Sequence, residues 1–504
     1  MCSHAAYAYT INSLCFICFR SSLDKYCVPP KIIPVLDLSN EDRSKQNGIV
    51  KQEKAIYYHW NIFAEKGVNG MVKITYLGAG SAFAPILCKD IFQIPGLEEG
   101  EICLVDIDPE RLKLSYEATK IVNEKLKTKW KIVSSTDRKE VMADSDFLIN
   151  TIEVSGVQTV KYDYEIPLKY GVDQCIGDTG GPGGIMKALR TVPPWLEILR
   201  DAEALCPDAY VLNYTNPMSM MMLATFRASK MKAVGLCHSV QGTSMSLASY
   251  LAVPYEELEW RCGGINHMGW FTELTHQGKD MYPLLKKQAK ENRELYEKDP
   301  VKFELLFHLG YFVTESSGHM SEYVPYFRKR PELIDKYCRE GYLGGRGFYA
   351  KNWPIWRKNL DEWRKKVIKG EVQPDLRRSV EYACEIIEGI TFNRPKVIYG
   401  NVPNTDLITN LPQNEVVEVA CLIDSSGIHP TYFGDLPPHL AALNKSNMAV
   451  YDMTVRAIMN NNYEMAEQAL MLDPLTAAVC SLEEIRNMFA ELYEAEKDYI
   501  PKLK

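Results

Sequence analysis

The sequence predicts an α/β protein: a doubly wound, Rossmann-like domain over residues 71–265, then a mixed α+β, helix-rich domain over residues 266–504. Three observations predict it. An apolar run rich in strand formers at residues 72–77 ends directly on Gly78-Ala79-Gly80-Ser81. A second run, at residues 102–105, ends on Asp106. From there strand and helix patterns alternate as far as Ile265 and then give way to helix-rich sequence.

The first elements form the opening βαβ unit of a dinucleotide site. Gly78 and Gly80 allow a tight turn and close backbone approach, and Ser81 leads into a helix whose N-terminus faces the pyrophosphate. Asp106 is placed to accept the ribose hydroxyls, with Asp108 as its rival, and an acid there favours NAD over NADP. Phe83 stands where a third small residue belongs in the strict fingerprint.

Strands follow at residues 131–133 and 147–150, with a helix over 137–142 between them. The Gly-rich Asp178-Thr179-Gly180-Gly181-Pro182-Gly183-Gly184 reads as a loop ahead of an amphipathic helix over 185–204. A strand at 209–212 runs into Asn213-Tyr214-Thr215-Asn216-Pro217. Two further apolar runs, at 233–236 and 262–265, deliver Cys237-His238 and Asn266-His267. Ligands of open parallel sheets bind beyond the carboxyl ends of the strands, so Asn150, Asp178, Asn216 and Cys237 converge on one crevice. Thiolate and imidazole suit a divalent transition metal. Taken singly, Cys237 reads as a small buried hydrophobe and His267 as a core histidine. The nucleotide-type start ahead of them favours a metal beside a cofactor.

Past His267, residues 282–298 pattern as a charged surface helix. Residues 312–323 concentrate hydroxyls, an imidazole and carboxylates, more than a plain loop needs. An amphipathic, basic surface helix over 353–369, a buried strand at 416–423 and helices over 439–460 and 482–498 complete the chain. Residues 1–70 carry four scattered cysteines (Cys2, Cys15, Cys18, Cys27) and no sustained periodicity. They read as an extension outside the native fold, with Met71 as the natural first residue; a zinc half-site at Cys15 and Cys18 finds no second pair.

The totals narrow the function. A net charge of −7 gives no support for nucleic acid or an anionic membrane as partner. No apolar run is long enough to span a bilayer. The fourteen cysteines are scattered over 504 residues, which suits reduced thiols in a cytoplasm better than a disulfide framework.

Assembled in order, these motifs resemble glycoside hydrolase family 4, most of all its α-galactosidases. The matching stretches run from Gly78-Ala79-Gly80-Ser81 through Gly181-Pro182-Gly183-Gly184-Ile185-Met186, Asn213-Tyr214-Thr215-Asn216-Pro217-Met218 and Cys237-His238-Ser239-Val240. They continue with Gly264-Ile265-Asn266-His267-Met268, Thr314-Glu315-Ser316-Ser317 and Tyr399-Gly400-Asn401-Val402. Gly269-Trp270-Phe271 departs from the galactosidase pattern, which leaves α-glucuronides and α-galacturonides as rival substrates.

The resemblance implies a lactate/malate dehydrogenase-like architecture, NAD, Mn²⁺ (or Co²⁺ or Fe²⁺), a small-molecule glycoside substrate and a homo-oligomer, dimer or tetramer. It also implies an exception to two-carboxylate glycoside hydrolysis: oxidation at C3, deprotonation at C2, elimination of the C1 oxygen, water addition and re-reduction. By matching, Cys237 and His267 are metal ligands, Asn216 binds substrate, and Tyr323 is the C2 base with Tyr326 as fallback. Asp178 raises that tyrosine's basicity, and His238 is either the leaving-group acid or a brace for the metal. Gly78, Gly80, Ser81, Asp106 and Asn150 fall to the cofactor. A net sugar dehydrogenase is the alternative enzyme reading, and a redox-sensing NAD-binding regulator the non-enzymatic one.

Overall fold

The computed structural model describes residues 71–504. The expectations placed on residues 1–70 (the extension, the start at Met71, the Cys15/Cys18 half-site) lie outside the described residues. Within them one sheet carries the fold. In chain order its first half is β1 (Lys73–Leu77), α1 (Phe83–Ile91), β2 (Glu101–Val105), α2 (Pro109–Leu126), β3 (Lys131–Ser135), β4 (Phe147–Asn150), α3 (Val160–Lys169), α4 (Gly181–Leu205), β5 (Tyr210–Asn213), α5 (Met218–Ala228), β6 (Lys232–Leu236) and α6 (Ser239–Leu251). These six strands are parallel in the order β3-β2-β1-β4-β5-β6, the doubly wound arrangement read from the sequence. The order reverses between β1 and β4, so the crevice opens beyond Leu77 and Asn150.

The helix-rich remainder extends the same sheet. It contains the hairpin β7 (Leu258–Ile265) and β8 (Met268–His276), then β9 (Lys279–Asp280), α7 (Tyr282–Glu291), α8 (Arg293–Lys298), α9 (Pro300–Leu309), β10 (Phe312–Val313), α10 (Ser317–Tyr323), α11 (Pro331–Tyr337), α12 (Phe348–Ile368) and α13 (Ala383–Phe392). After them come β11 (Lys396–Pro403), β12 (Val416–Asp424), β13 (Gly427–Pro430), α14 (Pro438–Asn460), α15 (Tyr463–Met471), α16 (Pro474–Val479) and α17 (Leu482–Glu496). Strand β11 pairs antiparallel with β6, and β12, β7, β8 and β10 continue outward from it. The boundary expected after Ile265 therefore falls in the turn of a hairpin. No helix among the described residues is long and apolar enough to cross a membrane. Their ten cysteines are free thiols.

Several elements differ from the sequence reading. The helix expected over 137–142 is one short 3-10 turn, Arg138–Glu140, capped by Asp137. The surface helix over 282–298 breaks at Asn292, whose side chain caps α8 by accepting from Leu295 N–H at 3.2 Å. Residues 312–323 are a short strand followed by α10. The helix read from residue 353 starts earlier, at Phe348. Nor is it only a surface element: Arg364 is fully buried and donates to the carbonyls of Gly80 and Ser81 in the opening turn.

Helix α4 starts at Gly181, inside the stretch read as a glycine loop. Glycine is a poor helix former, so the pattern pointed away from helix. Packing explains it: a Cβ on Gly183 would lie 2.2 Å from the carbonyl oxygen of Gly177, and one on Gly184 2.6 Å from the Thr179 carbonyl carbon. The first turn of α4 is pressed on the preceding loop, and the stretch is built for that contact. Deeper in α4, the buried Arg190 pairs with Asp163 of α3 at 2.7 Å and Glu496 of α17 at 2.7 Å, tying the last helix to the first half.

Gly183→Ala is expected to destabilise the protein by about 1–3 kcal/mol through overpacking, read as a lower urea midpoint with an unchanged slope.

Candidate active site

At the carboxyl ends of the parallel strands the chain turns sharply, and the polar residues gather there. Gly78 has φ +80°, and a Cβ on it would lie 2.6 Å from the Thr151 carbonyl, so only glycine fits. Gly78 and Ala79 N–H both donate to Val105 O at 2.9 Å. Asp106 accepts from Gly80 N–H at 2.6 Å and Asp108 N–H at 2.9 Å. Its rival Asp108 is engaged elsewhere, capping α2 through Glu110 and Arg111 N–H at 3.1 Å. Ser81 Oγ meets Thr151 Oγ1 at 2.9 Å. Ala82 gives α1 no side-chain cap, which leaves its first-turn N–H groups for an anion. Phe83, in the place of the third small residue, turns its ring towards Tyr214 (centroids 5.6 Å). Asn150 is fully buried and donates to Asn213 Oδ1 at 2.7 Å.

The metal-type residues meet across the sheet. Cys237 follows β6 and His267 sits in the β7–β8 turn, and the Cys237 Sγ lies 3.4 Å from His267 Nε2. Glu315, between β10 and α10, completes the group, with Oε2 at 3.6 Å from the same nitrogen. One ligand atom from each lies within 4.8 Å of the others. Both His267 (φ +62°) and Glu315 (φ +69°) occupy the left-handed region, a cost tolerated where side chains must be aimed. Burial and then the Glu315 charge push the Cys237 thiol well above its ordinary value. Burial also lowers His267 to about 4, so its imidazole is neutral at pH 7. A soft sulfur, a neutral ring nitrogen and a carboxylate oxygen fit a divalent transition metal and leave coordination positions open.

The other ring nitrogen, Nδ1 of His267, lies 3.2 Å from the Tyr323 hydroxyl. Tyr323 is buried at the end of α10, where Asn447 holds its carbonyl at 3.1 Å. Burial chiefly, with Tyr451 and the Asp178 and Glu322 charges behind it, raises its pKa. Tyr326 is 43% exposed and makes none of these contacts.

Two cations bind the acidic groups together. Lys187, buried on α4, pairs with Glu153 at 3.0 Å and Asp178 at 3.3 Å. His319 of α10 lies between Glu315 (3.2 Å) and Asp178 (3.9 Å); the two acids outweigh its burial and raise it to about 10. Against the desolvation that would raise them, Lys187 and His319 hold Asp178 well below the usual carboxylate range, and His267 in its acid-protonated form together with His319 does the same for Glu315. His238 stands apart, half exposed, with Nδ1 3.4 Å from Glu381, which raises it to about 9. Asn216 is half-buried beyond β5, just before a cis bond to Pro217.

The sequence reading did not assign Glu315, His319, Lys187 or Glu381. The polar richness of residues 312–323 signalled the first two, and Glu315 also fell in the matched stretch Thr314-Glu315-Ser316-Ser317, without a role. It also missed Glu322, whose buried carboxylate accepts from the N–H groups of Cys175, Ile176 (2.6 Å) and Gly177 (3.0 Å). That contact fixes the loop carrying Asp178 to the helix carrying Tyr323.

The family model "Family 4 glycosyl hydrolase" matches residues 73–253, and its C-terminal domain model matches 262–476. The chain belongs to the family 4 glycosyl hydrolases. An α-galactosidase of Bacillus subtilis (strain 168) is 41% identical over 86% of this chain and all of its own length. An α-galactosidase of Rhizobium meliloti (strain 1021) is 32% identical over 85% and 89% of the two chains. An α-galacturonidase of Lachnoclostridium phytofermentans is 28% identical over 86% and 97%. Among solved structures, a 6-phospho-α-glucosidase from gut microorganisms, in complex with NAD and Mn²⁺, superposes with a TM-score of 0.73 at 22% identity, covering 86% of this chain and all of that one. The Thermotoga maritima 6-phospho-β-glucosidase with manganese, NAD⁺ and glucose-6-phosphate gives 0.71 at 22%, with the same coverage. This family 4 chain is thus a glycosidase with the family's Rossmann-like fold.

Glu322→Ala would leave three buried N–H groups without an acceptor, at about 1–3 kcal/mol each. The expected outcome is a drop of at least about 3 kcal/mol in unfolding free energy, with amide hydrogen exchange accelerated at residues 175–177.

Proposed function

We propose that this family 4 enzyme is an α-galactosidase that works with NAD⁺ and a divalent cation, Mn²⁺ foremost. The observation that carries the reading is the contact of His267 with Tyr323, which joins the Cys237/His267/Glu315 donor set to a buried phenol in one cleft. The identity to two α-galactosidases, 41% and 32%, supports the sugar, against 28% for the α-galacturonidase. When bound, the nicotinamide supplies a reversible hydride acceptor and the cation a Lewis acid for sugar oxygens, the chemistry needed for C3 oxidation, C2 deprotonation and C1 elimination.

Cys237, His267 and Glu315 would hold the cation, and the β1–α1 turn with Asp106 would hold the dinucleotide. The neutral His267 keeps its Nε2 lone pair towards Cys237 and Glu315. Its Nδ1–H then donates to Tyr323 Oη, a tautomer assigned from this hydrogen-bond pattern. That donation steadies Tyr323 as a phenolate, the form that removes the C2 proton. Asp178 acts through its field: the negative charge raises the phenol's affinity for the proton it must take. Gly180 lies against the Tyr323 ring, where a Cβ would stand 3.6 Å from it. His238, kept protonated by Glu381, is suited to give a proton to the leaving oxygen. Asn216 is left to bind the sugar. The cleft's Lys187 is already spent on two carboxylates, which favours a neutral galactoside over a uronate.

The deciding assay uses p-nitrophenyl α-galactoside and α-galacturonide, with and without NAD⁺, Mn²⁺ and a thiol reductant. Release of nitrophenol from the galactoside alone, dependent on both cofactors and without sustained accumulation of NADH, is the expected result; stoichiometric NADH would mean a net dehydrogenase. Tyr323→Phe should lower kcat by at least about 10²-fold and abolish deuterium wash-in at C2, with NAD⁺ affinity retained. Cys237→Ser and Glu315→Gln should each weaken Mn²⁺ binding by at least about tenfold, a loss of one charged or soft ligand worth over about 1.4 kcal/mol, read by titration calorimetry.

A further inference from the structure

Beside the cleft runs a wall of aromatic rings that the chemistry above does not use. Its rings, Tyr342, Phe348, Tyr349, Trp353 and Trp356, come from the short turn Gly341–Leu343 and the first part of α12. Tyr342 meets Phe348 edge-on at 4.8 Å and stacks on Trp356 at 6.0 Å with planes 16° apart. Tyr349 tilts against Trp353 at 5.0 Å.

The wall is anchored on both sides of the site. Tyr349 N–H donates to Cys175 O at 3.0 Å and Gly347 N–H to Gln174 O at 2.8 Å, on the loop that leads to Asp178. A Cβ on Gly318, next to His319 in α10, would lie 2.5 Å from the Tyr342 carbonyl oxygen. At the far end Lys187, the partner of Asp178, lies 5.5 Å over the Trp353 ring. The charges of Asp178 and Glu315 also reach the Tyr342 hydroxyl, adding to burial in raising its pKa. Core packing does not explain a tyrosine that is 40% exposed at the lip of such a stack.

We propose that this wall, with Tyr342 at its lip and Trp356 behind, is the subsite for the leaving group, and that its ligand is a second hexopyranose ring. The C–H face of a pyranose is apolar with positively polarised hydrogens, and it complements the negative face of an aromatic ring. The rings are uncharged, which suits a neutral sugar. This inference rests on the glycosidase reading and deepens it by giving the leaving group's ring a place and the side chains that would hold it.

The test uses the full chain loaded with NAD⁺ and Mn²⁺, and compares melibiose with methyl α-galactoside, which lacks a second ring. The ratio of their kcat/KM values should fall about tenfold in Tyr342→Ala and be kept in Tyr342→Phe. An unchanged ratio overturns the subsite. A loss confined to p-nitrophenyl α-galactoside, with melibiose spared, assigns the wall to an aryl group and overturns the sugar. Should the wild type cleave none of these glycosides, the glycosidase reading fails on its own account. The wall is then judged by binding: quenching of tryptophan emission by melibiose that weakens about tenfold in Tyr342→Ala upholds it, and quenching equal in both proteins, or absent, overturns it.

Discussion

The site depends on one line of cross-strand contacts that joins the two halves of the sheet. Gly235 of β6 pairs with Asn401 of β11, Asn401 with Glu418 of β12, and Glu418 with Gly264 of β7. Asn401 fastens this row by donating to Gly235 O at 3.3 Å and Glu418 Oε1 at 3.1 Å, and the side chains of Asn401 and Glu418 are both buried. Gly235 admits no side chain, since a Cβ there would lie 2.5 Å from Met218 Sδ. Cys237 and His267 each follow this row within three residues. Any slip of β11 against β6 would carry both away from each other, because a one-residue shift in register turns every side chain to the opposite face.

Around this frame the charges are arranged to hold two carboxylates ionised in a mostly buried place. Burial alone would protonate Asp178 and Glu315. Lys187 and His319 reverse that, and each is shared between two acids. The sharing matters for geometry more than for stability, since buried ion pairs return little net free energy against hydrophobic packing. It places the two acids on either side of His319, with the phenol of Tyr323 close to the same ring. The carboxylate of Glu322 does the corresponding work on the backbone, through hydrogen bonds to a charged acceptor, which are stronger than neutral ones.

Some of the site was plain in the one-dimensional pattern. The β1 turn, Asp106 and the strand ends at Asn150, Asn213 and Cys237 follow from short continuous apolar runs that stop on polar residues, and the parallel order puts those strand ends on one edge of the sheet. Glu315 stood in a matched stretch, but its place beside Cys237 and His267 was not legible, because nothing in its spacing from them relates it to them. Lys187 was hidden in a helix whose start was misread: five residues rich in glycine signal a loop locally, and only the Gly177 and Thr179 carbonyls explain why they coil. Arg364 patterned as one more surface charge on a basic amphipathic helix. Its burial against the carbonyls of Gly80 and Ser81 is set by where α12 packs.

By itself, then, the chain's sequence determined the doubly wound half, the family and the choice of Cys237 and His267 as candidate metal donors, since these are carried by short-range patterns and by motifs in a set order. Tertiary structure alone decided the approach of Glu315 to Cys237 and His267, the sharing of Lys187 and His319, and the joining of the helix-rich half to the same sheet. Those depend on contacts between residues far apart along the chain, and local periodicity carries no information about which distant strand or loop arrives alongside.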